Sequence, residues 1–223
     1  IQHGAEFNLG LHQYVENTFS PNGHKYIREF DCEIISRTIY RVGAVVLQKE
    51  RMLVSFEPRV LIRYTLLESS SPTTLRLRPF LAFRSVNELT HENPIASSNM
   101  DECENGRYNQ MYANFPNLYM QFSKAIQYTH NPQWYKGIEY IKERDRGYDY
   151  KEDLLVPGYV ELPINKGESI IFSAGITECK TSTLKSTWKK ELGRRISRED
   201  LFSTLKNSAG QFYKREGDKC YLL

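Results

Sequence analysis

Residues 40–84 read YRVGAVVLQKERMLVSFEPRVLIRYTLLESSSPTTLRLRPFLAFR, and this stretch decides the fold class. It is a succession of runs rich in valine, isoleucine, leucine and aromatic residues, joined by short polar links. Links of this length favour antiparallel neighbours, because parallel strands need a crossover connection of about a dozen residues. The predicted strand segments lie near residues 38–48, 51–56, 59–68 and 74–84.

Further strand patterns flank this stretch on both sides. One precedes it at residues 26–34, and others follow at 106–113 and 118–128. Between them the composition turns polar at residues 87–105, which predicts a long surface loop. Residues 132–147 suit a strand, a short helix or both.

Two more apolar runs, GYVELPI and ESIIFSAG, are separated by the turn-forming residues NKG and are predicted to form a last antiparallel pair. Seven or more strand segments with turns at regular spacing are typical of a sandwich. The sequence therefore predicts a mainly β fold, with a large antiparallel β-sandwich over residues 1–176. A C-terminal helical hairpin or linker is predicted over residues 177–223.

The helical prediction depends on a change of period after Gly175. Apolar residues then recur every fourth position, at Leu184, Trp188, Leu192 and Ile196, which places them on one side of a helix. Ser197, followed three residues later by Asp200, resembles a capping box and predicts the start of a second helix.

Composition excludes several classes of protein. The chain has 223 residues, of which 40% are hydrophobic, and no run approaches the roughly 18 to 20 apolar residues of a membrane span. The formal charge is +3, with the basic excess in residues 180–223 on the outside of a helical pattern. Charge runs of this kind are usually solvated helix faces, so no nucleic-acid partner is predicted. The four cysteines are far apart with no CxxC, which indicates free thiols and a reducing, cytoplasmic location.

No catalytic, metal-binding or cofactor-binding motif is found. The five histidines form no HExxH or i, i+4 pair, and serine and cysteine lack the contexts that activate them as nucleophiles. The sequence therefore predicts no catalytic residues, no metal site and no cofactor.

One segment, WYKGIEYIKERDRGYDYKEDLLVPG at residues 134–158, combines aromatic and acidic side chains densely. Aromatic faces beside carboxylates suit sugar rings, whose apolar CH faces stack while their hydroxyl groups need acceptors. The alternative is a solvated charged segment whose aromatic side chains pack into the sandwich. Two carboxyl groups in this run could also serve a glycosidase, but clustering in sequence does not give their separation.

Four blocks taken in order carry a resemblance to a known family: YRVGAVVLQKERMLV, RVLIRYTLLESSSPTTLRLRPFLAFRS, GYDYKEDLLVPGYVELPINKGESIIFSAG and QFYKREGDKCYLL. Together they resemble the N-terminal region of bacterial glycogen debranching enzymes of the amylo-α-1,6-glucosidase type. The resemblance implies a super-sandwich-like β domain that precedes a catalytic barrel of α-helical hairpins. It also explains why the chain stops within an apolar run, with the barrel expected beyond it.

The resemblance further implies that the parent enzyme hydrolyses α-1,6 branch linkages of glycogen with residues of the absent catalytic domain. The implied partners are that domain and the α-glucan itself. The residues expected near the glucan or the interdomain face are Arg84, Trp134, Tyr135, Arg146, Tyr148, Tyr150, Glu152 and Asp153. The residues expected to dock on the barrel are Leu184, Trp188 and Leu192.

Four functional hypotheses remain open from the sequence. The first is a non-catalytic accessory domain of a debranching glycosidase, and the second is an independent α-glucan-binding module with an exposed aromatic platform. The third is a purely structural brace for the barrel, and the fourth is a free-standing enzyme. Whether Trp134 and its tyrosine neighbours are exposed and coplanar discriminates the second hypothesis from the others.

Overall fold

A computed structural model describes residues 1–195, 199–210 and 212–222 of the chain. The strands, numbered in chain order, are β1 His12–Tyr14, β2 Thr18–Ser20, β3 Ile27–Asp31, β4 Ser36–Val42, β5 Val45–Leu53, β6 Arg59–Glu68, β7 Thr73–Leu77, β8 Asp101–Cys103, β9 Gly106–Asn109, β10 Leu118–Phe122, β11 Gln127–Glu139, β12 Lys151–Ile164, β13 Ser169–Gly175, β14 Tyr213–Glu216 and β15 Lys219–Leu222. The helices are α1 Ile141–Asp145, α2 Leu184–Gly193 and α3 Leu201–Gly210. The fold is therefore mainly β, as predicted.

Two antiparallel sheets of unequal width form the body of the molecule. The large sheet has eight strands in the order β3-β4-β5-β6-β13-β10-β9-β8, and the small sheet has three in the order β11-β12-β7. Strands β1 and β2 form one hairpin, and β14 and β15 form another. The large antiparallel sheet and the helical C-terminal region confirm the predicted fold class.

The core lies between the two sheets. A buried cluster joins residues of the large sheet to residues of the small sheet, including Leu66 and Ile170 from the former and Leu162 and Ile164 from the latter. All four side chains are at most 2% exposed. Burial of apolar side chains contributed by both layers is the main favourable term in the stability of such a sandwich.

The prediction that the last two strands pair with each other is wrong. The two strands exist as β12 and β13, but β12 pairs with β11 and β7, whereas β13 pairs with β6 and β10. The link between them, in which Gly167 has a φ of +81°, carries the chain from one layer to the other. Both strands bury side chains at most positions, so each belongs in the middle of a covered sheet.

The boundaries of other strands differ from the predicted ones where a glycine or a proline ends a strand. The predicted run 38–48 is two strands, β4 and β5, that meet at a turn in which Gly43 has a φ of +57°. The predicted run 74–84 ends at Leu77, and beyond Pro79, which lacks a backbone donor, only Leu81 makes an isolated bridge to Leu155. Residues 132–147 contain both a strand and a short helix, which is one of the predicted alternatives.

Helix α2 packs on the outer face of the large sheet. Leu184 and Trp188 are 1% and 3% exposed and join a buried cluster with Leu61 and Ile171 of the large sheet. The Trp188 ring also lies against the Arg63 guanidinium, 4.7 Å from the ring centre, while Arg63 donates hydrogen bonds of 2.6 and 2.8 Å to Glu50. The predicted stripe at helical spacing therefore covers the sheet of its own chain.

Polar contacts fix the same helix at its C-terminal end. Glu191 is 1% exposed and accepts hydrogen bonds from the Ser55 amide at 3.0 Å and the Ser55 hydroxyl at 2.7 Å. Arg194 donates to the other carboxylate oxygen at 2.7 Å, and Arg195 donates to the Leu53 carbonyl at 2.7 Å. Burial disfavours ionisation of Glu191, but these donors and charges outweigh it and hold the pKa of the carboxyl below its usual range.

The remainder of the C-terminal region packs less. Helix α3 forms over residues 201–210 and buries none of its side chains. The predicted stripe residue Ile196 and the predicted cap residue Ser197 lie outside the described residues. The final apolar run is the second strand of a hairpin that turns at Gly217 and Asp218. None of the helices in the described ranges is long and apolar enough to cross a lipid bilayer.

Replacement of Trp188 with Ala is expected to lower the free energy of unfolding by about 3 kcal/mol or more, because it removes a buried aromatic ring and the stacking partner of Arg63. Urea denaturation followed by far-UV circular dichroism measures the loss. Leu201→Ala on α3, where the side chain is 75% exposed, is the matched control and is expected to stay within about 0.5 kcal/mol of the parent. Equal losses in the two variants would contradict the packing of α2 on the sheet.

Candidate functional site

The predicted site residues surround the first half of β12 and the segments that flank it. Glu152, at the beginning of this strand, has a side chain that is 0% exposed. Its carboxylate accepts hydrogen bonds from Arg84, from the Tyr140 hydroxyl at 2.5 Å and from the Thr90 amide at 3.0 Å. Arg84 makes a second contact of 3.2 Å to the other oxygen, so the pair is bidentate.

The pKa of Glu152 follows from these contacts. Burial favours the neutral acid, but the donors from Arg84, Tyr140 and the Thr90 amide outweigh burial and hold the pKa below its usual range. Burial and the Glu152 charge raise the pKa of Tyr140 to about 12. Glu152 is therefore ionised at neutral pH, fully hydrogen-bonded and closed to solvent, which suits a structural anchor better than a general acid.

Asp153, the next residue, anchors the other side of the strand. Its carboxylate accepts a hydrogen bond from the Gly137 amide at 2.8 Å and another from the Glu92 amide at 3.0 Å. Its backbone amide donates to the Thr90 carbonyl at 2.7 Å. The two adjacent carboxylates thus fasten the loop around residue 90 to the small sheet from both faces of β12.

Trp134 and Tyr135 do not form a common platform. They are consecutive in β11, opposite Leu155 and Leu154, so their side chains point to opposite faces of the sheet. Trp134 is half-buried and packs against the core cluster that contains Leu155. The Tyr135 ring lies 4.7 Å from the ring of Phe80, and its hydroxyl accepts a hydrogen bond from Arg78 at 3.1 Å.

The remaining predicted residues lie on and after helix α1. Arg146 pairs with Glu143 and stands 5.6 Å from the ring centre of Tyr148, which is 63% exposed. Tyr150 is half-buried between the cations of Arg144 and Lys151, at 5.9 and 5.5 Å. Of the predicted aromatic residues, Tyr148 is therefore the one that presents most of its ring to solvent.

Sequence reasoning missed a cavity of about 400 Å³ between the two sheets. Strands β4, β5 and β6 form its floor, β7 forms a wall, and residues 1–10 partly cover it. Its lining includes Lys49, Tyr64 and His12, residues that are distant in sequence. The one signal in the sequence for this cavity was the alternation of side chains along β5, which places Lys49 on the same inward face as the apolar Leu47.

Other reactive groups offer little chemistry. Burial and the nearby Glu178 carboxylate raise the pKa of Cys103 to about 11, so its thiol is protonated and unreactive at neutral pH. Cys103, Cys179 and Cys220 are free thiols. Across the described residues, no group of three or more histidine, cysteine or acidic side chains is arranged to hold a metal ion.

These features define an antiparallel β-sandwich domain with a helical extension fastened to its wider sheet. The model of the family described as glycogen debranching enzyme N terminal matches residues 1–171. The chain therefore belongs to that family, which confirms the predicted resemblance to the N-terminal region of glycogen debranching enzymes. No curated protein matches the chain.

Glu152→Gln is expected to lower the free energy of unfolding at pH 7 by about 3 kcal/mol, because it leaves Arg84 without its buried counter-charge. Because the pKa of Glu152 is lowered in the folded state, its contribution is complete above the unfolded pKa of about 4.3 and is lost as pH falls through the lower, folded pKa. The stability difference between parent and variant should therefore shrink as pH falls below about 5.

Urea denaturation at a series of pH values measures this effect. Glu143→Gln, which removes the exposed ion pair with Arg146, is the control and is expected to change stability by about 0.5 kcal/mol or less. A difference for Glu152→Gln that does not depend on pH would show that its charge does not stabilise the fold.

Proposed function

We propose that this chain is the non-catalytic N-terminal domain of an enzyme that hydrolyses α-1,6 branch linkages of glycogen, and that it braces the catalytic domain. The observation that carries the proposal is the set of exposed apolar side chains on α3 and the terminal hairpin, called here the C-terminal apolar surface. Its members are Leu201, Phe202, Leu205, Phe212, Tyr213, Tyr221 and Leu222.

The physical argument concerns the stability of α3. An isolated helix of ten residues is marginal in water, and most helix stability in proteins comes from packing an apolar face. Helix α3 carries such side chains, with Leu201 and Phe202 both 75% exposed and Leu205 59% exposed. A partner surface that covers them would supply the missing burial, and family membership supports the catalytic domain as that partner.

The anchoring of α2 supports the same role. Leu184 and Trp188 hold this helix on the large sheet, and Glu191 and Arg195 fix its C-terminal end. The half-buried Leu192 is the one predicted docking residue whose side chain is not in that buried cluster. We infer that α2 serves as a base on the sandwich and that α3 and the hairpin carry the contact. A reducing cytoplasm suits a domain in which Cys103, Cys179 and Cys220 are free thiols.

The charge-introducing variant Phe202→Glu/Leu205→Glu is expected to weaken binding of the separately expressed catalytic domain at least about tenfold, because it buries carboxylates in an apolar contact. Isothermal titration calorimetry measures the affinity. Thermal stability of the chain itself should not change, because α3 buries no side chain in it. Val86→Glu, at a residue that is 89% exposed in a distant loop, is the matched control. Equal affinities for parent and variant would rule out the C-terminal apolar surface as the docking face.

Contact with α-glucan is a second candidate function, which the exposed ring of Tyr148 favours. A single exposed ring beside Arg146 offers stacking for one sugar unit, whereas a platform needs several coplanar rings. Any glucan contact through this segment would therefore be weak in the isolated chain and would gain from a neighbouring catalytic cleft.

Titration of the chain with a soluble branched maltooligosaccharide, followed by backbone amide shifts, tests this function. We expect shifts confined to the segment from Arg146 to Tyr150, with a dissociation constant above about 1 mM. Tyr148→Ala should abolish them, and Tyr221→Ala on the terminal hairpin should not. The absence of shifts at the highest soluble sugar concentration would leave bracing as the function of the domain.

A further inference from the structure

The inter-sheet cavity contains a cation that has no counter-charge. In the antiparallel register, Lys49 of β5 stands opposite Tyr64 of β6, next to the opposed pair of Leu47 and Leu66. All four side chains point inward, because alternate residues of a strand share a face. Leu47, Tyr64 and Leu66 are buried, so the Lys49 ammonium lies on a face that is otherwise part of the core.

The environment of Lys49 makes this arrangement costly. Its ammonium stands 5.9 Å from the centre of the Tyr64 ring, and within the described part of the chain it forms no ion pair or hydrogen bond. Burial and the neighbouring Arg51 cation lower the pKa of Lys49. An unpaired charge on a core face is destabilising, and its presence beside a cavity points to a ligand that supplies the opposite charge.

The other charged groups of the cavity do not supply a negative charge for Lys49 either. Arg78 at the rim stacks on Tyr159 and donates to Tyr135, and no ion pair involving it occurs among the described residues. The one acidic side chain of the lining, Glu6, is already paired with Arg76. The cavity therefore offers unpaired positive charge and no free negative charge.

The walls define the rest of the ligand. Leu47, Leu66, Leu75 and Ile164 give the cavity an apolar interior, and its volume of about 400 Å³ lies within the range of small-molecule sites. The Tyr64 hydroxyl makes no hydrogen bond to any described residue and is available as a donor. One ammonium and one hydroxyl match a carboxylate, whereas a phosphate dianion needs more donors than they provide.

We propose that this cavity binds a small carboxylate with an aliphatic body, with the carboxylate on Lys49 and the body between the two sheets. The site is separate from the C-terminal apolar surface and from Tyr148. Its occupancy therefore neither requires nor excludes the bracing role or the glucan contact, and each can fail without the other.

Titration of the 223-residue chain with sodium octanoate, followed by calorimetry and methyl NMR shifts, tests the proposal. We expect saturable binding with a dissociation constant below about 1 mM and shifts in the methyl groups of Leu47, Leu66 and Leu75. Octan-1-ol, which has the same body without the charge, should bind at least about tenfold more weakly, since hydrogen bonds to charged groups are the stronger ones. Equal affinity for the two ligands, or no binding of octanoate, would overturn the proposal.

Two variants locate the site. Lys49→Met removes the ammonium and should weaken octanoate at least about tenfold while leaving octan-1-ol unchanged. Lys166→Met, at the exposed link between β12 and β13, is the matched control and should bind octanoate as the parent does. Leu75→Trp fills the cavity without touching the charge and should abolish binding of both ligands. Octanoate binding that survives both Lys49→Met and Leu75→Trp would place the carboxylate elsewhere and refute the site.

Discussion

The large sheet is wider than the small sheet that covers it, and it has two faces to protect from water. Eight strands stand against three, so the small sheet shields only part of the inner face. Residues 1–10 extend over part of the remainder, and the cavity lies beneath them. On the outer face, Leu61 and Ile171 are covered by α2. The position of the N-terminal segment, the cavity and the C-terminal helix all follow from this mismatch in width, because exposed apolar sheet area is unfavourable.

Buried polar side chains complete the structure by joining segments that are far apart in the chain. Glu152 holds the loop around residue 90, and Glu191 holds the turn after β5. Gln121 donates to the carbonyls of Glu104 and Cys179 and accepts from the Cys179 amide at 2.8 Å. Each of these side chains is at most 1% exposed, and its partners are backbone groups, hydroxyl groups or a counter-charge. Hydrogen bonds offset the cost of burying these groups, whereas no hydrogen bond or ion pair with a described residue offsets the cost of burying the Lys49 ammonium.

The sequence was informative where local pattern determines structure. The predicted strand at residues 59–68 has the same boundaries as β6. The apolar residues that recur every fourth position after Gly175 lie on a helix, which buries Leu184 and Trp188. Strand pairing could not be predicted in the same way, because β12 and β13 are each apolar on both faces and either could have faced the other across a short link. The arrangement of the site residues could not be predicted from the sequence either. Trp134 and Tyr135 are adjacent in sequence but separated by the pleat, and the Thr90 amide that binds Glu152 carries no side-chain signal.

The attachment of α2 to the large sheet also has a mechanical meaning. Arg195 donates a hydrogen bond to the Leu53 carbonyl at the end of β5, and the Trp188 ring packs against Arg63 of β6. The helix is therefore attached to two strands in the interior of the sheet. A pull on the chain beyond α2 is thus delivered to the middle of an antiparallel ladder, where several hydrogen bonds share the load, and not to an edge strand that could peel away one bond at a time. A force applied to the chain after α2 would therefore meet a stiff part of the sheet.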